Sequence, residues 1–75
     1  MNSLRQLRLF HWKKYFVHTR CEQNATKMNF ESARQIHWAE AMIHLRAVQV
    51  LNDCFELGDT AELDAFKEKH GQEIK

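Results

Sequence analysis

Two groups of histidine and glutamate residues could bind a metal ion or form a buried polar layer. His37, Glu40 and His44 are spaced three and four residues apart, so a helix brings them onto one face. Imidazole nitrogens and carboxylate oxygens are good ligands for zinc, copper, nickel and iron. A second group with a similar arrangement occurs earlier in the chain. It consists of His11, His18 and Glu22.

The two groups meet if their helices pack antiparallel. His18 then lies near His37, and His11 near Glu40 or His44, which makes these five residues a candidate metal site. Their spacing differs from the Glu-x-x-His motif of di-iron bundles and from the His-Glu-x-x-His motif of zincins. A hydrogen-bonded polar layer that fixes the helix register is therefore favoured over a metal site, and no bound cofactor is expected. Because histidine titrates near neutral pH, such a layer makes stability pH-dependent.

Three helices with short connections are predicted to position these residues. The chain contains no proline and only two glycines. Ser3 is a suitable N-cap for the first helix, Asn29 for the second, and the segment from Asp59 resembles a capping box for the third. Gly58 is predicted to end the second helix, and the third ends near Gly71. The predicted ranges are about 3–22, 30–57 and 60–70.

The fold class expected is all-α, with residues 1–75 forming a single domain. The short turn predicts an antiparallel helical hairpin, to which the short third helix is added. Apolar residues of the second helix cover an arc of about 200°, more than one partner helix can bury. The third helix offers mainly Leu63 and Phe66, so a second copy is expected to supply the missing cover in a dimeric helical bundle. The arc contains Ala33, Ile36, Ala39, Ala41, Ile43, Ala47, Val48, Val50, Leu51, Cys54, Phe55 and Leu57.

Two aromatic patches interrupt the polar faces of the long helices. The first is a candidate surface for nucleic acid, for a protein partner or for a membrane surface, or a second packing face inside the fold. It consists of Leu9, Trp12 and Phe16, flanked by Arg5, Arg8, Lys13 and Arg20. The second is a candidate protein contact, unless the third helix or another subunit covers it. It consists of Trp38, Met42 and Leu45.

Composition restricts the function further. The net charge is +1, but residues 1–27 carry six Lys or Arg against one acid, whereas residues 28–75 carry five against nine. The two cysteines, Cys21 and Cys54, are predicted to be free thiols in a reducing compartment, at opposite ends of the hairpin. Neither a secretory signal nor a membrane span is evident, because charges interrupt every apolar stretch. These features favour the cytoplasm.

The leading functional hypothesis is a non-enzymatic interaction module. It would be a homo-oligomeric regulator or inhibitor that binds another protein, because the sequence contains surplus apolar helix surface and no catalytic motif. The alternative is nucleic-acid binding by the basic first helix, although the near-neutral charge is low for that role. The metal-binding bundle is the third hypothesis.

Overall fold

Three helices form the structure, as the sequence predicts. The computed structural model describes residues 3–55, 57 and 60–74, with side chains as far as His70. The helices are α1 (Leu4–Lys27), α2 (Glu31–Cys54) and α3 (Ala61–Ile74). The all-α prediction is confirmed, and the two long helices pack against each other as a hairpin. The dimeric assembly stays a prediction.

The first helix begins as its sequence predicts. The Ser3 hydroxyl accepts a hydrogen bond from the Gln6 backbone N–H at 3.1 Å, and the Ser3 backbone N–H donates to the Gln6 side chain at 2.8 Å. This reciprocal capping box satisfies two N–H groups that a helix start otherwise leaves without partners. The predicted N-cap is confirmed.

The turn between the long helices is shorter than predicted and uses Asn29 differently. Helix α1 continues to Lys27 instead of ending near Glu22. Asn29 then takes a left-handed conformation with φ of 61°, which asparagine tolerates better than most residues. Its N–H donates to the Thr26 carbonyl at 3.2 Å, and the next N–H, of Phe30, donates to the Ala25 carbonyl at 2.9 Å. This is the hydrogen-bond pattern of a Schellman motif.

The prediction that Asn29 is the N-cap of α2 is therefore wrong. Phe30 holds that position and makes no side-chain cap hydrogen bond. The physical reason is that Asn29 reverses the chain at the end of α1, which leaves its side chain no role at the start of the next helix.

The end of α2 and the start of α3 differ slightly from expectation. Helix α2 ends at Cys54, before the expected Leu57, and the predicted roles of Gly58 and Asp59 fall outside the described residues. At the start of α3 the Thr60 carbonyl accepts the Asp64 N–H at 3.0 Å. Helix α3 also passes through Gly71 to Ile74, because one glycine weakens a helix without necessarily ending it.

Helix α3 packs against α1 on one side of the hairpin. The Trp12 indole N–H donates to the backbone carbonyl of Leu63 at 2.9 Å. Within the part of the chain that the structure describes, α3 packs on α1 and not on α2. The buried apolar side chains are few and mostly small, so much of the apolar arc of α2 is left uncovered. They are Ala25, Ala41, Val48, Leu51 and Leu63.

Arg8 connects all three helices. Its side chain is completely buried, which is unusual for arginine. The guanidinium donates to the Asn52 side-chain oxygen at 2.8 Å, to the Leu57 carbonyl at 2.8 Å, and to a Glu62 carboxylate oxygen at 3.2 Å. These partners lie at the end of α2, in the following connection and in α3, so one α1 side chain fixes the relative position of the three elements.

Candidate functional site

Four histidines form a continuous ladder between α1 and α2. The Nδ1 atoms of His11 and His44 lie 2.9 Å apart, and those of His18 and His37 lie 3.1 Å apart. The His18 and His44 rings stack, with centroids 5.6 Å apart and planes inclined by 8°. The pairing confirms the predicted antiparallel register, since residue numbers increase on one helix as they decrease on the other. We call His11, His18, His37 and His44 the histidine ladder.

Each Nδ1–Nδ1 contact requires one shared proton. A neutral imidazole has one N–H and one bare nitrogen, so one ring of each pair donates through Nδ1 while the other accepts. The donating ring carries its only proton on Nδ1 and therefore leaves Nε2 as a free lone pair. Each pair thus presents one unprotonated Nε2, which is the form that a metal ion or a proton donor requires.

Electrostatics favours the neutral form of His44. Burial lowers the pKa of this imidazole below its ordinary value, and the positive charges that His11, His18 and Lys14 carry or can acquire add to the effect. The Glu40 carboxylate opposes it without reversing the direction. His44 therefore keeps a lone pair at neutral pH.

Glu40 lies close to two of the ladder residues at the edge of the helix pair. One ring nitrogen of His18, one of His44 and one carboxylate oxygen of Glu40 all lie within 4.8 Å of one another. Both histidines are half-buried, whereas Glu40 is exposed, so this three-residue cluster opens to solvent. Glu22, which shares the histidine face of α1, instead lies 3.9 Å from Arg34.

The first aromatic patch lies against α3. Leu9, Trp12 and Phe16 are half-buried, and the Phe16 ring contacts Phe66 at 5.5 Å and His70 at 4.8 Å between centroids. Of the alternatives for this patch, the arrangement corresponds to the second packing face. The patch was also predicted to bind a partner or nucleic acid, and α3 now limits access to its aromatic rings.

The basic residues beside this patch have unequal surroundings. Arg8 is buried and bonded within the fold, whereas Arg5, Lys13 and Arg20 are exposed. The Lys13 ammonium lies 5.7 Å from the centre of the Phe66 ring. Nucleic-acid binding by α1 stays a prediction, and it depends on the three exposed cations without Arg8.

The second aromatic patch remains open. Trp38 is exposed, while Met42 and Leu45 are half-buried. The last two line a shallow surface depression together with Arg46 and Gln49. The alternative in which α3 folds over this patch does not occur, because α3 packs on α1 instead.

Sequence reasoning did not separate the exposed half of the apolar arc from the buried half. Ile36, Ile43 and Val50 are exposed on α2 at intervals of seven residues. Phe10 and Val17 are exposed on α1, also seven residues apart. We call these five residues the apolar seam. The seven-residue spacing is visible in the sequence, but the side of each helix that α3 occupies is not.

The two rows of the seam border the histidine ladder on the side away from α3. Trp12 faces α3, and Phe10 lies about 160° around α1 from it. The centroid of the Phe10 ring is 6.5 Å from that of the His44 ring. On α2, Glu40 is four residues after Ile36 and three before Ile43, so it shares their face. The Glu40 cluster therefore opens into the seam.

Among the described residues, no helix combines the length and the apolarity needed to cross a lipid bilayer. Comparison of the chain with models of protein families, with curated proteins and with solved structures finds no match.

Proposed function

We propose that this chain is a non-enzymatic protein-interaction module that works as a homodimer, with the apolar seams of two copies packed together. The observation that carries the proposal is the seam itself. Its residues are from 44% to 62% exposed in the single chain, although all five are large and apolar. A second copy would bury them in a four-helix core.

The exposed area is close to what a stable dimer needs. The five seam residues expose on the order of 500 Å² of residue surface, most of it apolar. Monomeric proteins rarely expose a contiguous apolar patch larger than a few hundred Å². A standard interface buries about 800 Å² on each partner, which the polar residues at the rim would complete.

The seam is suited to another copy of itself. Rows spaced by seven residues interdigitate as knobs into holes, and the small side chains of Ala39 and Ala47 leave room for close approach. Helix α1 carries six Lys or Arg against one acid, whereas α2 carries two against three acids. Placing α1 of one copy on α2 of the other therefore pairs opposite charges, and two-fold symmetry repeats the pairing.

The second aromatic patch is the proposed site for a different protein. It lies on the side of α2 away from the seam, so dimer formation leaves it free. Trp38, Met42 and Leu45 would bind an apolar segment, and Arg46 beside them favours a partner with a nearby carboxylate. In this proposal the dimer regulates or inhibits that partner in the cytoplasm, where the thiols of Cys21 and Cys54 stay reduced.

Sedimentation equilibrium tests the dimer. The wild-type chain at micromolar concentration should have twice the 9.0 kDa mass of one chain. Ile43→Lys places a charge in the seam and should raise the dimer dissociation constant by about 100-fold, because such a charge is desolvated in the interface. Gln49→Lys, exposed and outside the seam, should leave the mass unchanged. A folded wild-type monomer at these concentrations contradicts the proposal.

Affinity measurements with the purified partner test the second surface. The partner is first obtained by crosslinking in the native host, and its affinity is then measured. Trp38→Ala should weaken binding by about tenfold or more without changing the mass of the dimer. Arg46→Glu should also weaken partner binding, and the loss of affinity should be larger at low salt than at high salt. Equal affinity for the wild type and Trp38→Ala means that the partner binds elsewhere.

A further inference from the structure

We propose that His18, Glu40 and His44 bind one divalent transition-metal ion of the zinc class, with His11 and His37 orienting the two ligating imidazoles. All five residues belong to one chain, so the site needs no residue from a second copy, although it lies beside the seam that the proposed dimer would cover. It assigns a binding role to the three-residue cluster at the edge of the ladder.

The three side chains can reach a tetrahedral ion if the Glu40 carboxylate and one imidazole reorient. Bonds of about 2.0–2.1 Å put neighbouring ligand atoms roughly 3.4 Å apart around tetrahedral zinc. One ring nitrogen of His18, one of His44 and one carboxylate oxygen of Glu40 are at present within 4.8 Å of one another. Glu40 is exposed, so its carboxylate can rotate towards the imidazoles without disturbing a packed core. The His18 and His44 rings lie in nearly parallel planes, so one of these imidazoles must also turn before both can direct a ring nitrogen at the same ion.

His11 and His37 can hold the ligating imidazoles of His44 and His18 in the required tautomer. Ligating histidines usually donate their second ring N–H to a neighbouring acceptor, which fixes the ring and makes the ligating nitrogen more basic. Here Nδ1 of His44 is bonded to His11, and Nδ1 of His18 to His37. If His18 and His44 are the rings that donate their Nδ1 protons, each of them has an unprotonated Nε2 for the metal. The ladder thus supplies two ligands together with their supporting hydrogen bonds.

The donor set determines which ions fit. Two imidazoles and one carboxylate suit zinc, copper, nickel or cobalt better than magnesium or calcium, which prefer all-oxygen sites. Three protein ligands leave one tetrahedral position for water. Because His18 belongs to α1 and the other two ligands to α2, the ion would also crosslink the hairpin.

Zinc titration of tag-free, chelator-treated protein tests the site. We expect one Zn²⁺ per chain, a rise in melting temperature on binding, and no response to Mg²⁺ or Ca²⁺. Co²⁺ should give the visible absorption bands of a tetrahedral complex. Val50→Lys changes the seam at ten residues from Glu40 and six from His44. This variant should bind Zn²⁺ as well as the wild type does, which separates this proposal from the proposed dimer.

Matched variants test the assignment of ligands. Glu40→Gln changes an exposed residue and should leave the fold intact while it weakens Zn²⁺ binding by about tenfold or more. His37→Gln should also weaken binding, through loss of orientation. His70→Gln removes a histidine outside the ladder and should have no effect on Zn²⁺ affinity. The proposal is overturned by absence of Zn²⁺ binding at about 100 µM, by two ions per chain, or by unchanged affinity in Glu40→Gln.

Discussion

At the scale of single residues, Arg8 shows how a polar side chain can replace apolar packing. A buried guanidinium is costly unless hydrogen bonds satisfy it, and Arg8 bonds to Asn52, Leu57 and Glu62. With only five buried apolar side chains among the described residues, these bonds supply connections between helices that a larger core would otherwise provide.

Replacing Arg8 with methionine should therefore destabilise the chain. The substitution keeps much of the volume but leaves the Asn52 oxygen and the Leu57 carbonyl without their donor. We expect a loss of about 2–4 kcal/mol in the free energy of unfolding. Urea denaturation measures it, with the exposed Arg20→Met as control. A loss below about 1 kcal/mol contradicts the structural role of Arg8.

The ladder makes stability depend on pH. The unfolded pKa of His44 is near its ordinary value of 6.5, and burial and neighbouring charges lower it in the folded chain. The unfolded state therefore binds the proton more readily. The stability that the neutral His44 contributes to the folded chain is fully present well above pH 6.5. It is lost as the pH falls through 6.5 towards the folded pKa.

Melting temperatures from pH 8 to about pH 5, recorded with chelator present, should fall at the acid end. The groups that set this response are His11, His18 and Lys14 on α1 and Glu40 on α2. The variant His44→Gln should reduce the pH dependence. A wild-type melting temperature that is flat over this range contradicts the role given to His44.

The ladder could be predicted from the sequence, and the role of Arg8 could not. Histidines at positions 11, 18, 37 and 44 share helix faces whatever the rest of the chain does, and a short turn brings those faces together. The environment of Arg8 depends on where α3 and its connection lie. That placement follows from long-range packing, which helical periodicity does not encode.

At the scale of elements, the turn at Asn29 determines how the hairpin forms. The left-handed backbone there costs most residues about 1–2 kcal/mol, less for asparagine and little for glycine. The sequence indicated a turn in this region but not which residue would reverse the chain, because asparagine suits both N-caps and left-handed positions.

Substitutions at Asn29 should follow this order. Asn29→Ala should lower the free energy of unfolding by about 1 kcal/mol and Asn29→Val by more, whereas Asn29→Gly should be neutral or slightly stabilising. Chemical denaturation measures all three. If Asn29→Gly were as destabilising as Asn29→Ala, the side chain and not the backbone conformation would be what matters at this position.

At the scale of the whole molecule, the seam links folding to assembly. A lone hairpin with α3 on one side has a small core and an uncovered apolar face on the other side. If two copies cover each other, the stability of each includes the interface, so it depends on protein concentration.

The melting temperature of the wild-type protein should therefore rise as its concentration increases about 100-fold. Calorimetry at several concentrations measures the shift. Ile43→Lys, in which the seam is broken, should melt at a temperature independent of concentration, and the control Gln49→Lys should behave like the wild type. A wild-type melting temperature that stays constant means that the seam is not an interface between copies.

The shared protons of the ladder have a consequence for its outer ends. In each pair, the ring that donates a hydrogen bond through Nδ1 has an unprotonated Nε2, and the ring that accepts it has a protonated Nε2. Neither imidazole can exchange tautomer unless its companion exchanges in the opposite sense. Nitrogen chemical shifts should therefore show two pairs of rings. In each pair one ring is protonated on Nδ1 and the other on Nε2, and the two rings change tautomer together.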